Sequence, residues 1–522
     1  MFLEPLFHIY SLALSECKWP RAWVVESVKP IPKKKLPETV KDVRPISITP
    51  IFSKILERLV RQELRHDVSN QMHVNQFSRI GTDMYIAYMM HDAAVVADRC
   101  GSFQIQLFFD FSQAFNSVSH THVLQAAASL GARPHILRIL SSYLSGRKSL
   151  VYWNDTKSSL RPINGGAGQG TILSSDIFTI AVNGLPEALY EAIHQLEDQD
   201  DPLKSQVVLF ADDLRLTLNF KKSDMAIGAD GLYTFKSDGR LEHYLSVLER
   251  FTVLSGMKLN RNKTEAMVID NATENRVYFP PNCIRFPSGE SIQLKDNVKI
   301  IGFQLASDLS LDEFVKKRKS SGHAALWDLR RIANKGVPTE VLLEFYKGYV
   351  RSRIEYAVAA VLPSLGEVHR LLLESIQKKA TKIILKSAPF PKQPGYKPYT
   401  ARLEELKLES LSDRWNTLFE KLCLKIEKSP VFTVQLPRNT ATHDMTLRRR
   451  CEYVLPTPRT DRLAKTVVSS AARFLNSLET SYEERVGNRN FSQSVVQVPR
   501  DENVLVTNLI EIEEMLTSDL KL

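Results

Sequence analysis

Two apolar runs that end in acids constrain this chain more than anything else in it. Val207-Val208-Leu209-Phe210-Ala211-Asp212-Asp213 closes on adjacent carboxylates, and Leu107-Phe108-Phe109-Asp110 closes on a third. Each reads as a buried strand with its acid at the point of emergence. Acids pressed together repel one another unless a multivalent cation neutralises them, so the pattern implies a site built for magnesium. Asp also ends apolar strands because it suits turns, and either run alone fits that plainer reading equally well. After the pair, Leu214-Arg215-Leu216-Thr217-Leu218 alternates as a half-buried strand does, which makes Asp212 and Asp213 the tip of a tight hairpin. With the Asp110 strand beside that hairpin, three carboxylates converge. Two metal ions roughly 4 Å apart can there align an attacking oxygen, a phosphorus and a leaving oxygen, the geometry of phosphoryl or nucleotidyl transfer.

Bulk properties bound the rest. A chain of 522 residues exceeds one hydrophobic core, so two to four lobes are expected. Its 69 Lys and Arg against 59 Asp and Glu leave a formal +10, which suits a polyanion such as nucleic acid. Cys17, Cys100, Cys283, Cys423 and Cys451 are scattered, without CxxC or Cys/His spacing for zinc, and read as reduced intracellular thiols. Met1-Phe-Leu-Glu-Pro has acid where a signal peptide has base, and no apolar run reaches spanning length. A soluble intracellular protein without a membrane partner is the expectation.

The chain divides into a basic opening, an α/β centre and a helical second half. Val28-Lys29-Pro30-Ile31-Pro32-Lys33-Lys34-Lys35 is extended by its prolines and strongly basic, either a phosphate-gripping loop or a solvated one. A helix follows in which Ile51, Ile55, Leu59 and Leu64 form the apolar side and Lys54, Glu57, Arg58 and Arg61 the polar side. His122 to Leu144 reads as two short helices broken at Gly131 and Pro134. Asn164-Gly165-Gly166-Ala167-Gly168-Gln169-Gly170-Thr171 is the most Gly-dense stretch; it fits close backbone approach to a ligand at the amide end of a helix starting near Ile172, or a plain flexible turn. It lacks the Lys-Ser/Thr ending of a P-loop. Leu241, Tyr244, Leu245, Leu248, Phe251 and Leu254 mark a core helix stopped by Gly256. Glu197, Asp198, Asp200 and Asp201 read as a solvated acidic loop. Asp312 to Ile332 is a basic helix carrying Lys316, Lys317, Arg318, Lys319, Arg330 and Arg331, and Val368 to Leu385 a further amphipathic one. Arg448-Arg449-Arg450 and Arg459 to Arg473, with Tyr453 and Phe474, form a last basic patch fit for RNA or DNA.

These pieces stand in a definite order: Arg44-Pro45-Ile46-Ser47 with Lys54-Ile55-Leu56-Glu57-Arg58; Phe109-Asp110-Phe111-Ser112-Gln113-Ala114-Phe115; Gly168-Gln169-Gly170-Thr171-Ile172-Leu173-Ser174; Phe210-Ala211-Asp212-Asp213; Leu259-Asn260-Arg261-Asn262-Lys263-Thr264; and Ile301-Gly302-Phe303. In that order they resemble the reverse transcriptases of non-LTR retrotransposons, the LINE-like and Jockey-like group. Ile354-Glu355-Tyr356, Ile376-Gln377-Lys378-Lys379-Ala380, Arg402-Leu403-Glu404-Glu405-Leu406 and Pro458-Arg459-Thr460-Asp461-Arg462 resemble that group's tail.

The resemblance implies an α+β right-hand polymerase: fingers and a ferredoxin-like palm over 1–305, a helical thumb over 306–395, and an α-rich basic region over 396–522. It implies RNA-directed DNA synthesis on template RNA and primer DNA with dNTPs, used to copy element RNA at a chromosomal nick. Two Mg2+ ions, for which Mn2+ substitutes, would sit on Asp110, Asp212, Asp213 and the Phe111 carbonyl. Phe115 would gate the incoming sugar against a 2′-hydroxyl, Lys33 and Arg44 would grip the triphosphate, Gln169 and Gly170 would meet the nascent base pair, and Lys263 would protonate or shield pyrophosphate. Nucleus and cytoplasm are the expected locations. Gln113 and Asn116 stand where the group usually has Lys and Asp, and Gly168 and Ser175 where it usually has Pro, so a looser glycine loop and impaired activity are expected. The matching begins almost at Met1, so the endonuclease usual in the group is expected to be missing. Two rival expectations stand beside this one: a decayed relative that only binds RNA, and an intron-maturase-like splicing cofactor.

Overall fold

A computed structural model describes residues 3–486 apart from 34–35, 112–113, 154, 198–203, 236–238, 271–276, 281, 389, 439–452 and 456. The expectations placed on Lys34, Lys35, Gln113, Asp198, Asp200, Asp201 and Arg448 to Arg450 fall outside these residues.

The chain opens with helix α1 (Leu3–Ser15), then strands β1 (Val25–Pro32) and β2 (Val43–Ile48), helix α2 (Ile51–Val68) and helix α3 (Thr82–Ala97). Next come β3 (Ser102–Phe109), α4 (His120–Ser129), α5 (Pro134–Leu144), β4 (Lys148–Trp153), α6 (Ser174–Val182) and α7 (Gly184–Leu196). The hairpin β5 (Gln206–Phe210) and β6 (Asp213–Lys221) leads to α8 (Arg240–Ser255), β7 (Glu265–Asp270), β8 (Gln293–Leu294), β9 (Asn297–Ile300) and β10 (Phe303–Ala306). The later part is helical: α9 (Asp312–Ala333), α10 (Glu367–Ile384), α11 (Leu411–Glu427) and α12 (Val467–Val486) are its longest members.

The central sheet has the order β8-β7-β3-β6-β5, antiparallel except for the β7–β8 pair. Its two faces are covered differently. Phe103, Ile105, Leu107 and Phe109 of β3, with Leu214, Leu216 and Leu218 of β6, enter one core. Phe108, Met267 and Ile269 enter another, which runs on through α3 to Trp415 and Val468 of the helical part. Leu214 to Leu218 is therefore not half-buried: Arg215 and Thr217 are fully buried on the opposite face, beneath α3. The cost of burying Arg215 is offset by an ion pair to Asp92 of α3. Gln104 donates to Asn219 at 2.9 Å in the same layer. Alternation marks which residues share a face but not whether a helix covers it.

The predicted helix pair around Gly131 is present as α4 and α5, and α8 ends at Gly256 with φ +75. Leu254, expected in the α8 core, is 68% exposed because Leu248, Thr252 and Ser255 take the inner face. On α2 the inner face is Ser53, Leu56, Glu57, Val60 and Leu64, so Ile51 is exposed and Glu57 buried, the reverse of the expected sides. Glu197 is not solvated; Ser205 N–H and Oγ–H and the Tyr244 hydroxyl all donate to it. Arg318 turns from α9 to the Tyr356 ring, 5.0 Å away, and toward the Gly302 carbonyl, and is half-buried there. The Pro458 to Arg462 segment docks on α3, where Asp98 accepts backbone N–H bonds from Arg459 at 2.9 Å and Thr460 at 2.6 Å.

Candidate active site

Register brings the three acids to one end of the central sheet. Phe109 pairs with Leu214 and Phe210 with Asp213, so Asp110 follows β3 one step beyond its last pair, beside the start of β6. The two strands of the hairpin are joined by Ala211 and Asp212 alone, which requires a left-handed residue; Ala211 supplies it at φ +54. A Cβ there costs about 1 kcal/mol, a strain held in place by the pairing on either side. The Ala211 N–H donates to Gln76 Oε1 at 3.3 Å, tying the turn to the chain that runs along β5.

Asp110 is clamped from the segment after α8. Asn260 donates to it twice, from its backbone N–H to the Asp110 carbonyl at 2.8 Å and from Nδ2 to Oδ2 at 3.0 Å. Lys263 Nζ reaches the same Oδ2 at 3.1 Å. Sequence reasoning noted the Leu259 to Thr264 stretch but gave Asn260 no role; its spacing from Lys263, one turn of a short 3-10 helix, is the signal that pairs them.

Electrostatics tie the three acids together. Burial, then the Asp212 and Asp110 carboxylates, push Asp213 up to about 7. Burial and Asp110 likewise raise Asp212, against the pull of its own backbone N–H and Lys263. Among the described residues, no three His, Cys, Asp or Glu side chains are gathered closely enough to hold a metal ion as they stand. The carboxylates fit a hard divalent cation in donor type and register, with charge repulsion that such a cation would relieve, but they are not closed into a cage.

A pH dependence follows with a definite sign. A carboxyl raised on folding contributes stability that is fully present below its unfolded value and lost as pH rises through the folded one. For Asp213 that window runs from 3.8 to about 7. In metal-free buffer its contribution lowers the melting midpoint from pH 5 to pH 8. Added Mg2+ should recover more at pH 8 than at pH 5; equal recovery at both would speak against a shared cation.

The other predicted residues surround this centre unequally. Phe115 lies in a one-turn helix, Ala114–Ser117, half-buried against Phe178 with ring centroids 4.6 Å apart. Lys33 and Arg44 are exposed at the β1 and β2 ends. Phe111 is buried and bridges to Leu259.

The glycine loop departs from expectation: it is pinned rather than loose. The Gln169 carbonyl accepts from Ser47 N–H at 2.7 Å, and Gly166 and Ala167 donate to the Val118 and Phe115 carbonyls at 2.8 and 2.7 Å. Arg147, buried, donates to the Gly166 carbonyl and pairs with buried Glu26 at 2.5 Å, while Ser47 Oγ–H donates to Glu26 at 3.0 Å. A Cβ on Gly168, whose φ is +76, would stand 2.5 Å from Arg147 Nη2, and one on Gly170 would stand 2.9 Å from the Ser47 carbonyl oxygen. These glycines let the loop approach its own protein.

Nor is the helix after the loop open to a ligand. It starts at Ser174, and the amides of Ile172 and Leu173 donate to Glu57 Oε2 at 2.6 and 3.3 Å. Glu57 also accepts from Thr49 and Ser53, so a buried carboxylate from α2 caps α6. Glu57→Ala leaves these donors unsatisfied and should cost about 3 kcal/mol, measurable by denaturant unfolding. A change below about 1 kcal/mol would show that water replaces the cap.

Residues 31–305 match the family described as reverse transcriptase (RNA-dependent DNA polymerase). The chain is 26% identical over 277 residues to the RNA-directed DNA polymerase from mobile element jockey of Drosophila melanogaster, covering 52% of this chain and 28% of that protein. It is 23% identical over 337 residues to the probable RNA-directed DNA polymerase from transposon BS of the same organism, covering 63% and 34%. The chain thus spans about a third or less of the length of these relatives. Among solved structures, apo telomerase from Candida tropicalis aligns at a TM-score of 0.40 with 12% identity over 78% of this chain and 67% of that one. No helix among the described residues is long and apolar enough to cross a membrane.

Proposed function

We propose, on the premise that this chain belongs to the reverse transcriptase (RNA-dependent DNA polymerase) family, that it extends a primer 3′-hydroxyl with deoxynucleotides on an RNA template. The single observation that carries this reading is the juxtaposition of Asp110 with the Asp212-Asp213 turn, where burial and then the neighbouring carboxylates raise Asp213. Two Mg2+ ions, or Mn2+ in their place, held by Asp110, Asp212, Asp213 and the Phe111 carbonyl would supply an activated 3′-hydroxyl and charge neutralisation on the triphosphate.

The chain's own residues do the rest. Asn260 holds Asp110 in orientation through two bonds. Lys263, paired with Asp110 and two-thirds exposed, would pass a proton or lend a positive charge to the departing pyrophosphate. Lys33 and Arg44 grip the triphosphate, the Arg through its planar fork. Gln169 and Gly170 meet the nascent base pair from a loop fixed by Arg147 and Glu26. Phe115 lies beneath the incoming sugar. Phe115→Ala is expected to admit ribonucleotides by about a hundredfold, read as the ratio of dNTP to rNTP incorporation; unchanged sugar discrimination would remove the gate assignment.

Copying an element's RNA from a nicked chromosomal end is the setting the reading implies, with template RNA and primer DNA as partners. The test is magnesium-dependent dNTP incorporation on a primed RNA template by the purified chain. Binding without extension would instead favour a decayed RNA-binding relative. Assisted intron splicing without extension would favour a maturase-like cofactor.

A further inference from the structure

The helical part touches the β9–β10 hairpin through one phenol. Thr339–Phe345, a π-helical stretch Tyr346–Arg351 and Ser352–Glu355 follow one another directly, and Tyr356 comes next. A π turn carries one residue more than an α turn, which rotates everything beyond it by about 100°. The helix then stops at Ala357, which is left-handed at φ +61. Together these two features fix the direction in which Tyr356 leaves the helix.

Its target is the turn between β9 and β10. The Tyr356 hydroxyl donates to the Ile301 carbonyl. Ile301 is left-handed at φ +43, a conformation that a β-branched residue holds only under constraint from its surroundings. Gly302 follows at φ +91, and a Cβ there would stand 3.3 Å from the Tyr356 hydroxyl oxygen. Arg318 of α9 completes the clamp: its guanidinium lies over the Tyr356 ring, with Nη2 3.5 Å from the Gly302 carbonyl and Nη1 3.5 Å from that of Arg353. Two strained residues that are not glycine, Ile301 and Ala357, thus flank a single hydrogen bond.

This contact lies toward Asp213. Tyr356 lines a cavity of about 640 Å³ with Ile80, Gly81 and Asp83, the continuation of the segment whose Gln76 takes the Ala211 N–H. Burial raises the Tyr356 hydroxyl, the Arg318 charge opposes that, and the Asp83 and Asp213 carboxylates raise it further. Asp110 is held separately, by Asn260 and Lys263.

We propose that Tyr356, supported by Arg318, is a positioning residue for nucleotide addition: it fixes the Ile301-Gly302 turn beside Asp213, so that the helical part sets the geometry of the centre on that flank. The inference rests on the polymerase reading. Tyr356 acts through the turn and not on the reacting atoms, so its loss changes alignment rather than affinity, and a misplacement of about 1 Å costs up to about a hundredfold in rate.

The test compares Tyr356→Phe, which removes only the hydroxyl, with Tyr349→Phe, which removes another hydroxyl bond of the helical part, to Asp328 at 3.1 Å. At saturating primed RNA template, Tyr356→Phe should lower the maximal rate of single-nucleotide addition about tenfold, with the half-saturating dNTP concentration and the template affinity within about twofold of the parent. Arg318→Lys, which keeps a cation over the ring but not the fork, should lose about threefold. The two substitutions together should lose less than the product of the separate losses, because both act on one turn. Tyr349→Phe should match the parent. Amide hydrogen exchange reads the clamp without turnover: in Tyr356→Phe residues 301–303 should exchange about tenfold faster, with β3 and β6 unchanged. An unchanged rate in Tyr356→Phe, an equal loss in Tyr349→Phe, a loss expressed as a raised dNTP requirement, or unchanged exchange at the turn would each overturn the assignment. The polymerase reading fails separately, if the parent chain extends nothing while Tyr356→Phe still frees the turn to exchange.

Discussion

Asp212→Ala is expected to lower primer extension by at least about a hundredfold to a thousandfold, while affinity for a primed RNA template stays within about threefold. The first expectation follows from position: Asp212 is at the apex of a two-residue turn between paired strands, largely buried and repelled by Asp110, a place that suits a divalent cation. The second follows from charge, since a chain with a formal +10 carries ample cations elsewhere to hold phosphates. A third consequence separates this reading from a structural one. Removing one of three mutually repelling acids should stabilise the metal-free protein and bring Asp213 down from about 7 toward its ordinary range. An inactive variant that is also less stable, or that loses template binding in proportion to extension, would contradict the assignment.

Gly168→Pro should be strongly destabilising, although the resemblance to non-LTR reverse transcriptases implies proline at that position. Proline fixes φ near −65°, whereas Gly168 has φ +76, and any Cβ there would press on Arg147 Nη2 at 2.5 Å. Accommodating the ring means moving the loop away from Ser47 and separating buried Arg147 from Glu26, a loss of about 3 to 5 kcal/mol. The expected result is a lower melting midpoint, with a raised half-saturating dNTP concentration because Gln169 is displaced. Arg147→Met, which removes the same pair and the bond to the Gly166 carbonyl while leaving every loop residue in place, should reproduce the kinetic change in part. A Gly168→Pro variant as stable and active as the parent would mean the loop can adopt the proline conformation, and that Arg147 does not set it.

The family and the right-hand α+β fold class were legible because the strongest signals are local. Strands ending in acids, a glycine stop at Gly256 and helix breaks at Gly131 and Pro134 need no tertiary context to be read. What escaped depends on covering elements. Arg215 looks like the solvent side of a strand until α3 is laid over it with Asp92 beneath. Glu57 looks like a surface acid on α2 until the amides of Ile172 and Leu173, more than a hundred residues later, arrive to be capped. From sequence the glycine loop reads as a ligand cradle or a plain flexible turn, loosened by the loss of prolines; its glycines instead make room for Arg147, Ser47 and Asn116. Asn260 illustrates the remaining gap, since an amide beside a lysine carries no sign of which carboxylate it will hold.

The joint ownership of a cation by Asp110 and the hairpin acids can be measured without turnover, by calorimetric titration of Mn2+ into the chain bound to a primed RNA template and a non-hydrolysable dNTP analogue. The parent should show saturable binding that Asp110→Asn and Asp212→Asn each abolish. Undiminished Mn2+ binding in either single variant would contradict a shared site.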